Sequence, residues 1–505
     1  MTKFTTTDSV VPFEHELPPE PPLADWERFG EPSMPNATSS TSSTSSAGSV
    51  PSPNADGSDG SDGSRNPNLE VGGQTRIAQR FAAEWGGQLL FVHGLGRHYW
   101  DGTRWAIDED GQAHRCLIQT LQRALADSLR EPHLRGDVAK AESANAQKGV
   151  LQIASNLEAF TCTVVQLDAD PFLLNVANGT LDLRTMELRA HDHHDRITKV
   201  TRGAYRPDSE GPQWETFLQT VLPDSDVREY FQRFIGLSLL GKVREHIFAI
   251  ATGGGGNGKG VSYNAILNAL GDYGHAAESD LFMVGRSNPN GATPALMGLR
   301  GKRLVVVSET ERDHRLATAL MKGLTGGDPI TARALHRNPV TFEPSHTSLM
   351  VTNFLPKVAG DDPAAWRRIR VIPFDYVVPK SDRNPMLGEV LALEADAILT
   401  WAIDGYRQYA AEGMNTPLAV RAATDRYAHE SDAVARFLAD CTEKGSFVPV
   451  GELFERWTRW ALDDGTEPLG KRAFGQAMER HGYPSKVHGG MSVRMGIALK
   501  NGVEK

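Results

Sequence analysis

The sequence predicts an α/β protein: a phosphate-loop core with a parallel sheet, preceded by an α+β domain and followed by a winged-helix-like C-terminal domain. Three observations carry that prediction. An apolar strand at Ile247 to Ala251 runs through a glycine-rich loop into a helical pattern, the order a phosphate-binding loop requires. Two more short apolar strands, around Leu304 to Val307 and Ser348 to Thr352, each end on a polar side chain. The chain has 505 residues, room for two to four domains at roughly 100–200 residues each.

Composition narrows the field. Apolar residues make up 40% and charged residues 23%, which excludes collagen, coiled coil and a wholly disordered chain. The longest apolar runs hold about five residues, against the roughly 18–20 that cross a bilayer, and the N-terminus lacks a signal-like apolar core. The expectation is a cytoplasmic protein without membrane contact. Three scattered cysteines, Cys116, Cys162 and Cys441, fit neither C-x-x-C metal spacing nor a disulfide framework. Most of the net charge of −10 lies in the first 70 residues, where eleven acids face three basic side chains. The rest is nearly neutral, so overall charge does not speak against nucleic acid and local patches decide.

Along the chain, residues 1–75 form an acidic tail whose Ser, Gly, Asp and Pro cannot offset their ordering entropy and stay disordered. An α+β domain follows over 76–240. It has helical stretches at Cys116 to Leu129 and Asp137 to Leu157, turns at Asn178-Gly179 and Arg184-Thr185, and one helical run from Trp214 to Leu240. The core spans 241–380, a helical connector 381–430, and a basic α/β domain 431–505.

The core carries the chemistry. Gly253, Gly254, Gly255, Gly256, Asn257, Gly258, Lys259, Gly260 and Val261 form the loop and helix start. Glycines let backbone N–H groups converge on phosphates, the helix N-terminus adds positive charge, and Lys259 reaches the β and γ oxygens. The expected ligands are ATP and Mg²⁺. Gly260 stands where such loops end in Ser or Thr, whose hydroxyl holds the metal. Ser262 faces elsewhere on the helix. Glu309, ending the strand from Leu304, is the candidate carboxylate for positioning Mg²⁺ or activating water, with Glu311 in support. Asn353 at the next strand end is the candidate γ-phosphate sensor. Arg367, Arg368 and Arg370 precede another apolar strand, and one of them suits a finger reaching a neighbouring subunit's nucleotide.

These residues resemble superfamily 3 helicases of the phage and plasmid primase–helicase type, related to the poxvirus primase–helicase. The matching pieces are GGGGNGKG, GKRLVVVSETE, LMKGLTGGDPITARALHRNPVTFEPSHTSLMVTNFLP and WRRIRVIPF, in family order from Ile247 to Phe374. Upstream, DPFLLNVANGTLDL and FIGLSLLGKVREHIF resemble the domain before that helicase. The resemblance implies an AAA+-like fold and a homo-hexameric ring moving on single-stranded DNA with ATP. It makes Lys259 the phosphate lysine, Glu309 the second-motif acid, Asn353 the sensor, and Arg367 or Arg368 the finger. Lys322, Thr325 and Asp328 fall in the segment between the last two strand motifs.

Between Asp328 and Pro344 the alternation reads as a hairpin whose tip carries His336, Arg337 and Asn338, with Arg333 on its approach. Such a tip grips DNA phosphates without reading sequence. In the C-terminal domain Lys471 and Arg472 open a basic stretch, Lys471 to Lys500, that resembles a winged helix and suits DNA or a protein partner. The HDHHD run at 191–195 reads as a solvated loop rather than a metal site, and Trp100, Trp105 and Trp214 as packing residues. The polar tail offers no room for a primase, so no primer synthesis is expected, and a separate primase or other replication protein is a candidate partner. The leading expectation is a replicative DNA helicase; the alternative is an ATP-switched origin-binding or loading factor that does not unwind.

Overall fold

The computed structural model describes residues 72–284, 293–309, 314–335, 338–358 and 362–500. These belong to one compact unit that begins at Gly72. Its N-terminal part packs four helices, Gln74–Trp85, Gln112–Asp127, His133–Ala141 and Ala144–Ala154, beside a four-stranded sheet that includes Leu89–Val92 and Gly96–Trp100. The helical stretch expected from Asp137 to Leu157 is two helices, because Ser143 caps a new start by accepting from the Ala146 amide at 3.2 Å. A three-stranded antiparallel sheet follows, Leu173–Val176, Gly179–Asp182 and Glu187–Arg189, with its turns at the two expected places.

The run read as one helix from Trp214 to Leu240 also divides, into Pro212–Val221 and Ser225–Ser238. Pro223 cannot donate an N–H to the preceding turn, and the Asp224 carboxylate accepts from the Asp226 amide at 2.9 Å to open the second helix.

The central sheet is parallel and has five strands: β1 (Phe248–Thr252), β2 (Gly274–Ala277), β3 (Leu304–Glu309), β4 (Thr347–Thr352) and β5 (Ile369–Pro373). Their spatial order is β5-β1-β4-β3-β2. Near-continuous apolar strands are what a sheet covered on both faces demands, and alternate residues of β1 enter different cores. Ala249 and Ala251 join the cluster of the helices Pro212–Val221, Ser225–Ser238, Lys259–Leu270 and Ala395–Glu412. Phe248 and Ile250 join Val305, Val307, Met321 and Tyr427 on the other face. The first of those cores crosses residue 240, so the preceding helices and the sheet share one interior.

The helices Ser225–Ser238 and Ala395–Glu412 cross with backbone against backbone. A Cβ on Gly236 would overlap the Tyr406 amide and the Gly405 carbonyl, and one on Gly405 would overlap the Gln232 carbonyl. The Gln232 side-chain amide donates across the crossing to the Trp401 carbonyl at 2.9 Å.

The C-terminal part runs helix (Ala433–Cys441), strand (Thr442–Pro449), helix (Val450–Asp463), helix (Lys471–Arg480) and two strands (Ser485–His488, Met491–Leu499). The strands form a single antiparallel sheet with Met491–Leu499 in the middle, over a core of Phe437, Trp457 and Phe474. The basic stretch loses one member: Arg494 is 4% exposed, and it donates to Glu479, the Tyr483 carbonyl and the Gly475 carbonyl. It holds the helix to the sheet. No helix among the described residues is long and apolar enough to cross a membrane, and all three cysteines are buried and free.

Candidate nucleotide and DNA sites

Register builds the site. Glu309 pairs with Thr352, Thr352 with Thr252, and Thr252 with Pro373, so four strands end in one row. The residues that follow β1 and β4 are Gly253 and Asn353, and they share that edge with the end of β3. The Glu309 side chain and Glu311 lie outside the described residues.

From β1 the chain turns through the glycine loop into the helix Lys259–Leu270. Gly258 has φ 80°, a left-handed conformation suited to glycine, and a Cβ there would run into Phe217 and Val221. A Cβ on Gly254, Gly255 or Gly260 would meet nothing within 4 Å, so the outer face of the loop is open. Asn257 is the loop's internal brace: its amide donates to the Phe374 carbonyl at 2.7 Å, and its oxygen accepts from Lys259 at 2.9 Å.

Lys259, 6% exposed, donates from Nζ to the Gly253 carbonyl at 2.8 Å and to Asn353 Oδ1 at 3.2 Å. Burial holds its ammonium below the usual lysine range. Three positive features converge here, a lysine, loop N–H groups and a helix N-terminus, beside an open rim. Such a combination suits a polyphosphate anion. Ser262 is 1% exposed and donates back to the Gly258 carbonyl at 3.0 Å, so it does not replace a hydroxyl at Gly260.

The arginines lie elsewhere. Ile369 pairs with Phe248, the first residue of β1, so Arg367 and Arg368 sit at the opposite edge of the sheet from Lys259. Five strand residues span roughly 16 Å, too far for either to serve its own loop. Arg367 is exposed and its guanidinium has no hydrogen-bond partner among the described residues. Arg368 is half-buried and donates to the Ala364 carbonyl at 3.0 Å. Lys322 pairs with Asp362 at 2.7 Å, tying the helix Thr318–Gly326 to the segment before these arginines, and Thr325 is buried against Met321.

The expected hairpin exists as Ile330–Ala332 paired antiparallel with Val340–Phe342. The Arg333 backbone pairs with Thr293; His336 and Arg337 lie outside the described residues. Lys471 and Arg472 are exposed at the start of their helix. In the HDHHD run, Asp192, His193 and His194 place ligand atoms within 4.8 Å of one another, on a surface turn where Asp192 already accepts from His194. Trp105 and Trp214 are buried packing residues.

Comparison with known proteins adds names. Residues 78–223 match a family described as D5 N terminal like, 251–368 a family of unknown function, and 429–485 a family described as Poxvirus D5 protein-like. The chain is 28% identical over 321 residues to "Putative helicase L207/L206" of Acanthamoeba polyphaga mimivirus, covering 58% of this chain and 33% of that protein. It is 27% identical over 232 residues to "Putative primase C962R" of African swine fever virus (isolate Tick/Malawi/Lil 20-1/1983), covering 44% and 24%. It is 30% identical over 228 residues to "Putative helicase 121R" of Invertebrate iridescent virus 3, covering 43% and 24%. The chain thus spans a third or less of the length of these relatives. Among solved structures, the NrS-1 C-terminal region in its apo form aligns with a TM-score of 0.42 at 12% identity, covering 70% of this chain and 89% of that one. Its two D5-like segments and its viral relatives support a D5-like primase–helicase family for this chain.

Proposed function

We propose that the chain is an ATP-dependent DNA helicase of superfamily 3 with an AAA+-like core, translocating on single-stranded DNA as a homo-hexameric ring. The observation that carries this reading is the meeting of Lys259 and Asn353 at the aligned strand ends. β1 lies between β4 and β5 while β2 forms the far edge, and ligands of open α/β sheets bind beyond the carboxyl ends at such a switch of strand order. The open loop rim fits the phosphates of ATP. Mg²⁺ would rest on phosphate oxygens, water and the Glu309 carboxylate.

Lys259 holds and neutralises the β and γ oxygens, and Asn353 orients the γ-phosphate or the attacking water. Arg367, unpaired at the far edge, supports a finger acting on the next subunit's nucleotide. Arg333, His336 and Arg337 on the hairpin suit the DNA backbone, with Lys471 and Arg472 as a second basic contact. Gly260 favours a second reading, an ATP-switched origin-binding or loading factor, since a weakly held metal leaves binding intact and hydrolysis poor.

The test is ATP turnover with and without single-stranded DNA, beside Lys259→Ala. DNA-stimulated turnover abolished by the substitution is the expected result. Nucleotide binding with no turnover in the unaltered protein would discard the helicase in favour of the loading factor.

A further inference from the structure

Beyond β5 the chain doubles back over the glycine loop. The Phe374 amide donates to the Thr252 carbonyl at 2.8 Å, and the Val378 amide donates to the Gly256 carbonyl at 2.9 Å. A short 3₁₀ turn, Lys380–Asp382, then delivers Arg383, whose Nε donates to the Val378 carbonyl at 3.0 Å. Its guanidinium lies directly on Gly256: a Cβ built there would overlap Nη2 and Cζ of Arg383. Gly256 has φ 79°, so both its backbone and its missing side chain serve this approach.

The electrostatics of this contact are incomplete. Arg383 is exposed, and its two Nη groups have no hydrogen-bond partner and no carboxylate within ion-pair distance among the described residues. Its neighbour Asp382 accepts from Ser381 at 2.7 Å. A guanidinium with four unused N–H donors therefore stands beside a loop that is already positive from its N–H groups, its helix N-terminus and Lys259. Like charges gathered this closely repel unless an anion joins them, and a planar fork of donors matches phosphate oxygens.

We propose that Arg383 is a nucleotide-binding residue that contacts the phosphate chain of the nucleotide on its own subunit. This rests on the reading of the glycine loop as a phosphate site. Arg383 and Lys259 close the phosphates from two sides, and the segment from Phe374 to Arg383 acts as a strap holding them to the loop. The role differs from that of Arg367, which lies at the other edge of the sheet and can serve only a neighbour.

The experiment measures binding of ATP and ADP to the full chain and to Arg383→Gln, Arg383→Lys and Lys259→Ala. Arg383 is exposed, so its replacement leaves the fold intact, which circular dichroism checks. Removal of one charged hydrogen-bond donor to a phosphate weakens binding by roughly tenfold to a hundredfold. Arg383→Gln is expected to show that loss, and Arg383→Lys to recover part of it. Addition of Lys259→Ala chains, which carry an intact Arg383, should not restore binding to Arg383→Gln if the contact is within one subunit. Restored binding would overturn that assignment in favour of a contact in trans. Binding by Arg383→Gln within twofold of the unaltered chain, with Lys259→Ala impaired, would overturn the role of Arg383 alone. Failure of the unaltered chain to bind either nucleotide would instead remove the phosphate-loop reading on which the inference stands.

Discussion

Mild acid should loosen the central sheet through His346. This residue immediately precedes β4, is 3% exposed, and has both ring nitrogens buried without a hydrogen-bond partner. Burial, and then the nearby His275, push its pKa down to about 4. The unfolded chain takes up a proton near the ordinary histidine value of about 6.5, while the folded chain resists until about 4. Protons therefore favour the unfolded state throughout that window: the stability is present above pH 6.5 and is lost as the pH falls toward 4. A gap of about 2.5 units corresponds to about 2 kcal/mol lost by pH 5 and about 3 kcal/mol by pH 4. Urea unfolding at pH 7 and pH 5, compared between the unaltered chain and His346→Leu, isolates the term because all other groups cancel in the difference. The leucine variant should retain about 2 kcal/mol more of its neutral-pH stability at pH 5. Equal losses in the two proteins would refute the argument.

Other substitutions test separate parts of the molecule. Gly236→Ala forces a methyl into the crossing of two helix backbones and should lower stability by about 1–3 kcal/mol, read as a lower unfolding midpoint. Arg367→Ala should cut ATP turnover by about a thousandfold or more while leaving nucleotide binding intact, and Arg368→Ala should spare turnover relative to it; the reverse ranking would assign the finger to Arg368. Gly260→Ser has free space around the new side chain and should strengthen the Mg²⁺ dependence of turnover, measured by titrating the metal at fixed ATP. His98, fully buried with a pKa lowered to about 4 chiefly by burial, should give the N-terminal part its own loss of protection below pH 6.5, visible by hydrogen exchange at Gly96–Trp100.

What the sequence made legible was local. The glycine loop, Lys259 and Asn353 lie within continuous strand–loop segments, so the strand ends alone placed them on one edge. The helix breaks at Ser143 and at Pro223-Asp224 were also written in capping residues, but apolar spacing on both sides masked them. Arg494 shows the limit of counting charge by segment: it adds to the basic sum of the C-terminal domain, yet its guanidinium points into three internal acceptors. Arg383 was illegible for another reason. Its place depends on the chain after β5 folding back over a loop far upstream, and no local pattern encodes that return.

The bare crossing of Gly236 and Gly405 also governs how this protein can be divided or altered. The two glycines belong to segments that flank the five-stranded sheet on either side in sequence, so the sheet is clasped by its own flanks. A fragment of residues 241–380 would leave Phe374, Ile372 and Val351, all buried in the shared core, without the helices that cover them, and aggregation is the expected fate of such a piece. Inherited change is constrained in the same way. A larger residue at one glycine cannot be matched by a smaller one at the other, because neither has a side-chain atom to give up.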